Sequence, residues 1–267
     1  MNQLTTTIIL GIIQGLTEWL PISSTGHLKI AEHFLKFPTS ENSLLFDFIL
    51  HIGTLVVILF FFRSDIKNML SALVHLDFKT EYGKLVPLII VGTIPAAIIG
   101  VALENLIEQA FQSLLPIAIA FLLCGVMLYS ARDGKAKTKD MSYLTAIIVG
   151  VAEGIAIIPG LSRSGLTIAV ALLLGIKREK AFKFSFLLSI PAIIGVIGYT
   201  TVKDFDKLAF AGLGWIEILA GVTAAMIVGY GALNLLWKII AGKKFHLFAF
   251  YCWILGLILI MLVLGGF

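Results

Sequence analysis

Residues 14–27 read Gln14-Gly-Leu-Thr-Glu18-Trp-Leu-Pro-Ile-Ser23-Ser24-Thr25-Gly-His27, and this stretch breaks an apolar segment that covers residues 4–20. A second apolar segment, residues 143–158, runs into Pro159-Gly-Leu-Ser162-Arg163-Ser164-Gly165. Proline and hydroxyl residues beside an apolar helix do not suit a simple membrane span, because backbone groups freed from the helix need new partners inside the membrane. The two breaks predict re-entrant helix pairs, which enter the membrane and turn back.

The composition of the 267 residues predicts a membrane protein. Apolar residues make up 59% of the chain and charged residues 13%, against about 45–50% and about 25% in soluble proteins, and the mean hydropathy is +1.01. So few charges cannot cover a soluble body of this size, which excludes a soluble globular enzyme, a disordered chain and a fibrous protein. We therefore expect one helical membrane domain over residues 1–267.

Six further segments are each long and apolar enough to cross a hydrocarbon core about 30 Å thick. They cover residues 43–62, 85–103, 113–130, 182–201, 213–236 and 246–265. With the two breaks, they predict an all-α integral membrane protein with six transmembrane helices and two re-entrant helix pairs in an inverted-topology repeat.

The basic residues indicate the orientation. The loops 63–84, 131–142, 175–183 and 237–245 hold 15 of the 20 Lys and Arg residues. Because cytoplasmic loops carry an excess of Lys and Arg, these loops are predicted to be cytoplasmic, and the first break then enters the membrane from the outer side. The net charge of +4 follows from this topology and does not indicate a nucleic-acid partner.

An internal repeat relates the two breaks at an offset of 139 residues. Gly11, Gln14 and Gly15 then align with Gly150, Glu153 and Gly154, and Ser23-Ser24-Thr25-Gly26 aligns with Ser162-Arg163-Ser164-Gly165. Each half, approximately 1–130 and 140–267, would contain one broken pair followed by three spans, and this odd number inverts the second half. Interrupted helices that meet near the midplane are typical of such repeats. The alternative is chance similarity between helices rich in small residues.

The first break carries the parts of an activated nucleophile. Gln14 and Glu18 are four residues apart and share a helix face, and a carboxylate at membrane depth usually faces the protein interior or a cavity. Ser23, Ser24 and Thr25 lie where the next helix should begin. His27 follows Ser24 by three residues, so we expect its imidazole within reach of that hydroxyl. An acid, a hydroxyl and an imidazole are the groups of nucleophilic catalysis.

The second break supplies a complementary anion site. Arg163 lies among Ser162, Ser164 and Thr167 at the expected start of a helix. A guanidinium offers planar bidentate hydrogen bonds to phosphate, and a helix N-terminus adds partial positive charge. Together, the two breaks suit phosphoryl transfer, in which catalysis is mostly positioning and charge neutralisation.

Several of these residues also have plain structural interpretations, which the sequence leaves open. These are a helix cap for Ser23 or Thr25, an interhelical hydrogen bond for Gln14, a buried ion pair for Glu18 with Arg163, and a core position for His27. Glu153 also lies at membrane depth and its role stays open. Asp47 and His51 are four residues apart, and they either line the same cavity or pair with each other.

The two breaks resemble the undecaprenyl-diphosphatase family, the bacitracin-resistance proteins. The resemblance covers essentially the whole chain and includes Pro159-Gly-Leu-Ser-Arg-Ser-Gly-Leu-Thr167 and Phe182-Lys-Phe-Ser-Phe-Leu-Leu-Ser-Ile-Pro191. The first motif of the family takes Glu or Gln at one position and Glu four residues on, so Gln14 and Glu18 conform. A glutamine at the first position argues against a catalytic role there.

The resemblance implies hydrolysis of undecaprenyl diphosphate to inorganic phosphate and the monophosphate lipid carrier of peptidoglycan synthesis. It implies an active site that opens to the outer face of the bacterial cytoplasmic membrane, and a divalent cation, Mg²⁺ or Ca²⁺, at a site the sequence does not mark. The expected partners are the polyprenyl diphosphate and membrane lipids, and a homodimer is compatible with the chain.

Carried over by position, the functional residues of the family are Glu18, Ser24, His27 and Arg163. We hypothesise that Ser24 attacks the terminal phosphorus and that His27 with Glu18 activates it, and a weaker variant makes His27 the nucleophile. The expected substrate contacts are Gln14, Ser23, Thr25, Ser162, Ser164 and Thr167. The rival class is a transporter or lipid flippase, which needs Arg163 as a charge clamp but not the nucleophile set. A purely structural scaffold does not explain a buried Glu18 and Arg163.

Overall fold

The computed structural model describes residues 2–35, 41–111, 113–133, 140–203 and 214–266, and within these ranges the regular structure is helical. The eleven α-helices in this part of the chain are α1 Gln3–Trp19, α2 Ser24–Leu35, α3 Glu41–Phe61, α4 Arg63–Val74, α5 Glu81–Ala110, α6 Leu114–Ser130, α7 Tyr143–Ile155, α8 Arg163–Leu173, α9 Arg178–Lys203, α10 Trp215–Ala241 and α11 Phe248–Leu264. Each predicted apolar segment falls on one of these helices, so the all-helical class is confirmed.

Four helices in the described ranges are long and apolar enough to cross a membrane. They are Glu81–Ile107 within α5, Arg178–Lys203, Trp215–Ala241 and Phe245–Leu264, and a fifth is added if Phe46–Phe61 and Arg63–Val74, which meet at 75°, count as one bent span. The chain is therefore a multi-pass membrane protein. Helix α6, on which the predicted span 113–130 falls, is shorter, at 17 residues.

The predicted loop 63–84 is wrong in part, because its first half forms helix α4. Its charged residues suggested a loop, but Ile66 and Met69 lie one turn apart and pack against the core, as in an amphipathic helix. Five basic residues used in predicting the orientation, Lys36, Lys135, Lys137, Lys139 and Lys207, lie outside the described residues.

Both breaks have the predicted form, in which a helix ends and a hydroxyl residue starts the next one. Helix α1 ends at Trp19, and Leu20 has extended backbone ahead of Pro21. Ser23 has a φ of 68°, which is uncommon for a residue other than glycine, and its Oγ accepts from the backbone N–H of Gly26 at 3.3 Å. Ser162 caps α8 in the same way, accepting from the N–H of Gly165 at 3.1 Å. Hydroxyl groups at these positions satisfy otherwise unpaired helix donors.

The two broken helices pack on long helices from the other part of the chain. Helix α1 lies mainly against α10, and α7 lies mainly against α5. A Cβ added to Gly11 would lie 2.1 Å from the carbonyl oxygen of Gly221, and one added to Gly150 would lie 2.0 Å from that of Gly92. Glycine at these positions therefore lets the backbones of both helix pairs approach closely.

Gly11→Ala is expected to destabilise the protein by about 1–3 kcal/mol, because the added methyl group overpacks the α1–α10 contact. The measurement is the thermal unfolding midpoint of purified protein in detergent. Gly231→Ala is the matched control, since a Cβ at this α10 position has no heavy atom within 4 Å. Equal midpoints for the two variants would contradict the close packing.

Candidate active site

Glu18 is the centre of a buried polar cluster at the first break. Its Oε1 accepts from Arg163 Nη2 at 2.7 Å, and its Oε2 accepts from Ser24 Oγ at 2.7 Å and from Gln14 Nε2 at 3.1 Å. The side chain of Glu18 is only 6% exposed. The structure thus joins Gln14, Glu18, Ser24 and Arg163, as the sequence predicts, and all three partners donate hydrogen bonds to the carboxylate.

Arg163 has donor capacity left for a ligand. Its Nη2 bonds to Glu18, but its Nη1 is buried and has no hydrogen-bond partner among the described residues. The guanidinium also lies 5.7 Å from the ring centroid of Trp19. A guanidinium has five N–H donors in a planar fork, so Arg163 can hold Glu18 and a phosphate oxygen together.

The expected contact between His27 and Ser24 is wrong. His27 Nδ1 is 2.7 Å from the carbonyl oxygen of Ser23, and its Nε2 is 2.7 Å from the hydroxyl of Tyr251. The ring also meets Phe121 edge-on, with centroids 5.3 Å apart. Both ring nitrogens therefore have partners. The carbonyl oxygen of Ser23 lies one turn before His27, and Tyr251 comes from α11.

Ser23 holds the two breaks together. Besides capping α2, its Oγ accepts from the backbone N–H of Gly160 at 3.0 Å. Ser23 is buried, whereas its neighbour Thr25 is exposed on α2. The hydroxyl of Ser23 therefore fixes the distance between the first and second breaks.

The hydroxyls of the second break also bond to the protein. Ser162 caps α8, and its Oγ contacts that of Ser164. Ser164 Oγ also lies 3.1 Å from the carbonyl oxygen of Trp19, to which it donates. Thr167 Oγ1 donates to the carbonyl oxygen of Arg163 at 2.8 Å. Thr167 also bonds to Ser185. These contacts orient Arg163 and the break, and the predicted substrate contacts of the three hydroxyls stay predictions.

His51 belongs to the cluster, a placement that the sequence left undecided. Its Nε2 lies 3.7 Å from Glu18 Oε2, and its Nδ1 lies 2.7 Å from the backbone carbonyl oxygen of Asp47. The residue thus lines the Glu18 site. The only early signal was the spacing of Asp47 and His51 along one face of a predicted span.

Glu153 is a second carboxylate near the cluster. It is buried, and neither carboxylate oxygen has a hydrogen-bond partner in the part of the chain that the structure describes. It interacts electrostatically with Arg163. An unpaired buried carboxylate is costly, so this group is suited to a cation or a proton.

The comparison with known proteins agrees with this geometry. A family model described as "Bacitracin resistance protein BacA" matches residues 7–258, which cover nearly the whole chain. The chain belongs to this family. The BacA-family match includes both breaks, and thus all four residues of the Glu18 cluster and the neighbouring His51.

Curated relatives match the BacA-family chain over nearly its full length. A protein from Carboxydothermus hydrogenoformans is 42% identical over 264 residues, which are 97% of each chain. One from Methanosphaera stadtmanae is 43% identical over 281 residues, with 98% of this chain and 99% of the relative covered. Both are named undecaprenyl-diphosphatase. One from Bacillus cereus, named undecaprenyl-diphosphatase 3, is 38% identical over 257 residues, with 95% of both covered.

Proposed function

We propose that the chain hydrolyses undecaprenyl diphosphate to undecaprenyl phosphate and inorganic phosphate. The protein is then a membrane phosphatase. Its product, the monophosphate lipid carrier, is used again in peptidoglycan synthesis, and its activity confers bacitracin resistance. The observation that carries this function to the present chain is the full-length similarity to proteins named undecaprenyl-diphosphatase. The cluster of Ser24, Glu18 and Arg163 supplies the chemistry that the reaction needs.

Ser24 is the nucleophile in this mechanism. Its hydroxyl already donates to Glu18 Oε2 at 2.7 Å, so the carboxylate can take the proton as the oxygen attacks the terminal phosphorus. The bond from that phosphorus to the bridging oxygen breaks, and undecaprenyl phosphate leaves. Water then cleaves the phosphoserine and regenerates the hydroxyl. His27 is less suited to attack, because both of its nitrogens are engaged by Ser23 and Tyr251.

Arg163 neutralises the phosphate charge. Its Nη1 has no hydrogen-bond partner among the described residues, and Arg163 itself is the first residue of α8, at the second break. Preorganised donors aimed at the oxygens where charge develops are usually the largest single contribution to catalysis. Gln14, Ser23, Thr25, Ser162, Ser164 and Thr167 complete the surroundings of the diphosphate in this proposal.

A divalent cation, Mg²⁺ or Ca²⁺, fits the site if the substrate supplies most of its ligands. Among the residues that the structure describes, no group of three or more His, Cys, Asp or Glu side chains could hold a metal ion. Magnesium often binds through one or two carboxylates plus substrate phosphates. Glu153, with two unpartnered oxygens, is the residue we assign to it. The bound cation would neutralise part of the diphosphate charge.

Glu153→Gln is expected to raise the Mg²⁺ or Ca²⁺ concentration for half-maximal phosphate release about 10-fold, within the range for weakened metal sites. The measurement is a metal titration after chelation, together with direct calorimetric binding of the cation in the presence of substrate. Glu217→Gln, on α10, is the matched control. Unchanged metal dependence in the Glu153 variant would remove this residue from the cation site.

The membrane topology proposed for this function has six spans, two re-entrant pairs and an inverted repeat of the halves 1–130 and 140–267. The helix bounds support it, because α2 begins at Ser24 and α8 at Arg163, which are 139 residues apart. The packing supports it as well, because α1 of the first half packs on α10 of the second, and α7 of the second half packs on α5 of the first. The site then opens to the outer face of the cytoplasmic membrane.

The test is phosphate release from undecaprenyl diphosphate by purified protein in detergent, with and without chelator and added cation. We expect release by the wild type and none above background after denaturation. No release by well-folded protein at any metal concentration would overturn the phosphatase. Binding of the lipid diphosphate without release, dependent on Arg163, would then favour the transporter or flippase.

A further inference from the structure

His51 completes the ring of groups around the Glu18 carboxylate. Its Nε2 lies 3.7 Å from Oε2, the same oxygen that accepts from the Ser24 hydroxyl. The side chain of His51 is 30% exposed, whereas that of Glu18 is 6% exposed. The order of groups is therefore hydroxyl, carboxylate, imidazole and then a more open region.

The backbone fixes which nitrogen of His51 faces Glu18 with a lone pair. Nδ1 lies 2.7 Å from the carbonyl oxygen of Asp47. Because a carbonyl oxygen only accepts, Nδ1 must carry the proton in this contact. In the neutral form of the ring, Nε2 then has a free lone pair on the side of the Glu18 carboxylate and can accept a proton from it.

Glu18 alone is a weak proton acceptor in this setting. Arg163, Ser24 and Gln14 all donate hydrogen bonds to its two oxygens, and such donors stabilise the ionised carboxylate. When the substrate phosphate draws on Arg163, Glu18 loses part of that stabilisation. A nearby imidazole is then the group placed to share the proton, since a shift of about 1 Å closes the present gap to hydrogen-bond distance.

We propose that His51 is the terminal proton acceptor of a relay that runs from Ser24 through Glu18. This inference rests on the proposed phosphatase function and adds a residue to it. His51 reaches the nucleophile only through Glu18, so it is a positioning residue rather than one that contacts the phosphorus.

The protons balance over the two halves of the reaction. As Ser24 Oγ bonds to the terminal phosphorus and the phosphorus–bridging oxygen bond breaks, the hydroxyl proton passes to Glu18 and on to His51 Nε2. Water next attacks the phosphoserine, the Oγ–phosphorus bond breaks, and the stored proton returns through Glu18 to Ser24. The proton lost by the water leaves with phosphate or solvent, and no redox partner is needed.

Other titratable groups lie on α3 and on the helices packed around it. Glu18 faces it from α1, with Arg163 of α8 behind the carboxylate. On α3 itself, Asp47 shares a side-chain hydrogen bond with Glu32 of α2, which Lys29 also approaches. Elsewhere on α3, Tyr230 of α10 contacts Phe60 and Phe61, and α9 has Lys183 paired with Asp65 of α4.

The test compares kcat, KM and the pH profile of wild type, His51→Gln and His51→Ala. Glutamine can donate to Glu18 but cannot take up a proton, so we expect kcat to fall about 10²-fold, at the lower end for general acid–base catalysis, with KM unchanged. The pH dependence of kcat should differ between wild type and His51→Gln, because glutamine cannot take up a proton. Added imidazole should restore part of kcat to His51→Ala, because the position is partly exposed.

His75→Gln is the matched control, since His75 Nδ1 also contacts the carbonyl oxygen four residues earlier, that of Ser71, but lies at the end of α4. It should behave as wild type. Folding is checked for every variant by its unfolding midpoint in detergent. If His51→Gln has the kcat and the pH profile of the wild type, the proposed relay is overturned. The proposed phosphatase function would still stand, because the protein releases phosphate. Absence of release from wild type itself would instead remove the underlying function.

Discussion

Ser24→Ala is expected to lower the rate of phosphate release by about 10⁶-fold, the loss seen when the nucleophile of a serine hydrolase is removed and its binding groups remain. The reason is that the Ser24 hydroxyl is held on the Glu18 carboxylate at 2.7 Å, and alanine cannot form the phosphoserine. KM should change little, since Arg163 still binds the diphosphate. The measurement is steady-state phosphate release, with acid quenching and mass spectrometry to detect phosphate on Ser24 in the wild type.

Ser130→Ala is the control for this substitution. Its Oγ donates to the carbonyl oxygen of Met127 at the end of α6, so the same chemical change is made at a helix position outside the cluster. The control should retain wild-type turnover. Near-normal turnover of Ser24→Ala would exclude Ser24 as the nucleophile and return attention to His27.

Arg163→Lys and Arg163→Ala are expected to lower kcat/KM by about 10³–10⁵-fold, the range for an arginine that neutralises a transferring phosphoryl group. Lysine keeps a positive charge but lacks the planar fork that holds Glu18 and a phosphate oxygen together, so Arg163→Lys should lose most of the rate. The measurement is phosphate release over a range of substrate concentrations.

Folding must be separated from catalysis in this series. Arg163→Ala leaves Glu18 buried without its cation, which costs about 3–5 kcal/mol of stability when one partner of a buried pair is removed. The double variant Glu18→Gln/Arg163→Gln removes both charges and should fold better than Arg163→Ala while remaining inactive. Arg63→Gln is the control, because Arg63 lies at the start of α4, outside the Glu18 cluster, and donates a hydrogen bond to the carbonyl oxygen of the nearby Phe60. A folded Arg163→Lys protein with wild-type kcat/KM would contradict the assignment.

The local features of the site could be predicted from the sequence because their causes are local. Proline and hydroxyl residues predict where α1 and α7 end and where α2 and α8 begin. Helix α1 ends one residue before the predicted segment 4–20 does, and α7 ends at Ile155, three residues before the end of the predicted segment 143–158. The four-residue spacing of Gln14 and Glu18 put both on one helix face. The cost of isolated charges in a membrane predicted that Glu18 and Arg163 would need partners, and they pair with each other.

The long-range partners could not be predicted in the same way. His27 was placed beside Ser24 because they are close in sequence, but Tyr251, 224 residues away, takes one of its nitrogens. His51 reaches Glu18 through the packing of α3 beside α1, for which the sequence has no local signal. Helix α4 was not predicted, because the charged residues Arg63, Asp65 and Lys67 near its start suggested a loop.

The ion pair between Glu18 and Arg163 joins residues 145 positions apart in the chain. At a synthesis rate of about 5–20 residues per second, Glu18 leaves the ribosome roughly 7–30 s before its counter-ion. During that interval the segment formed by α1 and α2 carries a carboxylate without its counter-ion, which is costly at membrane depth. The Glu18 site therefore forms late in biogenesis, after α8 has been made and Arg163 can pair with Glu18.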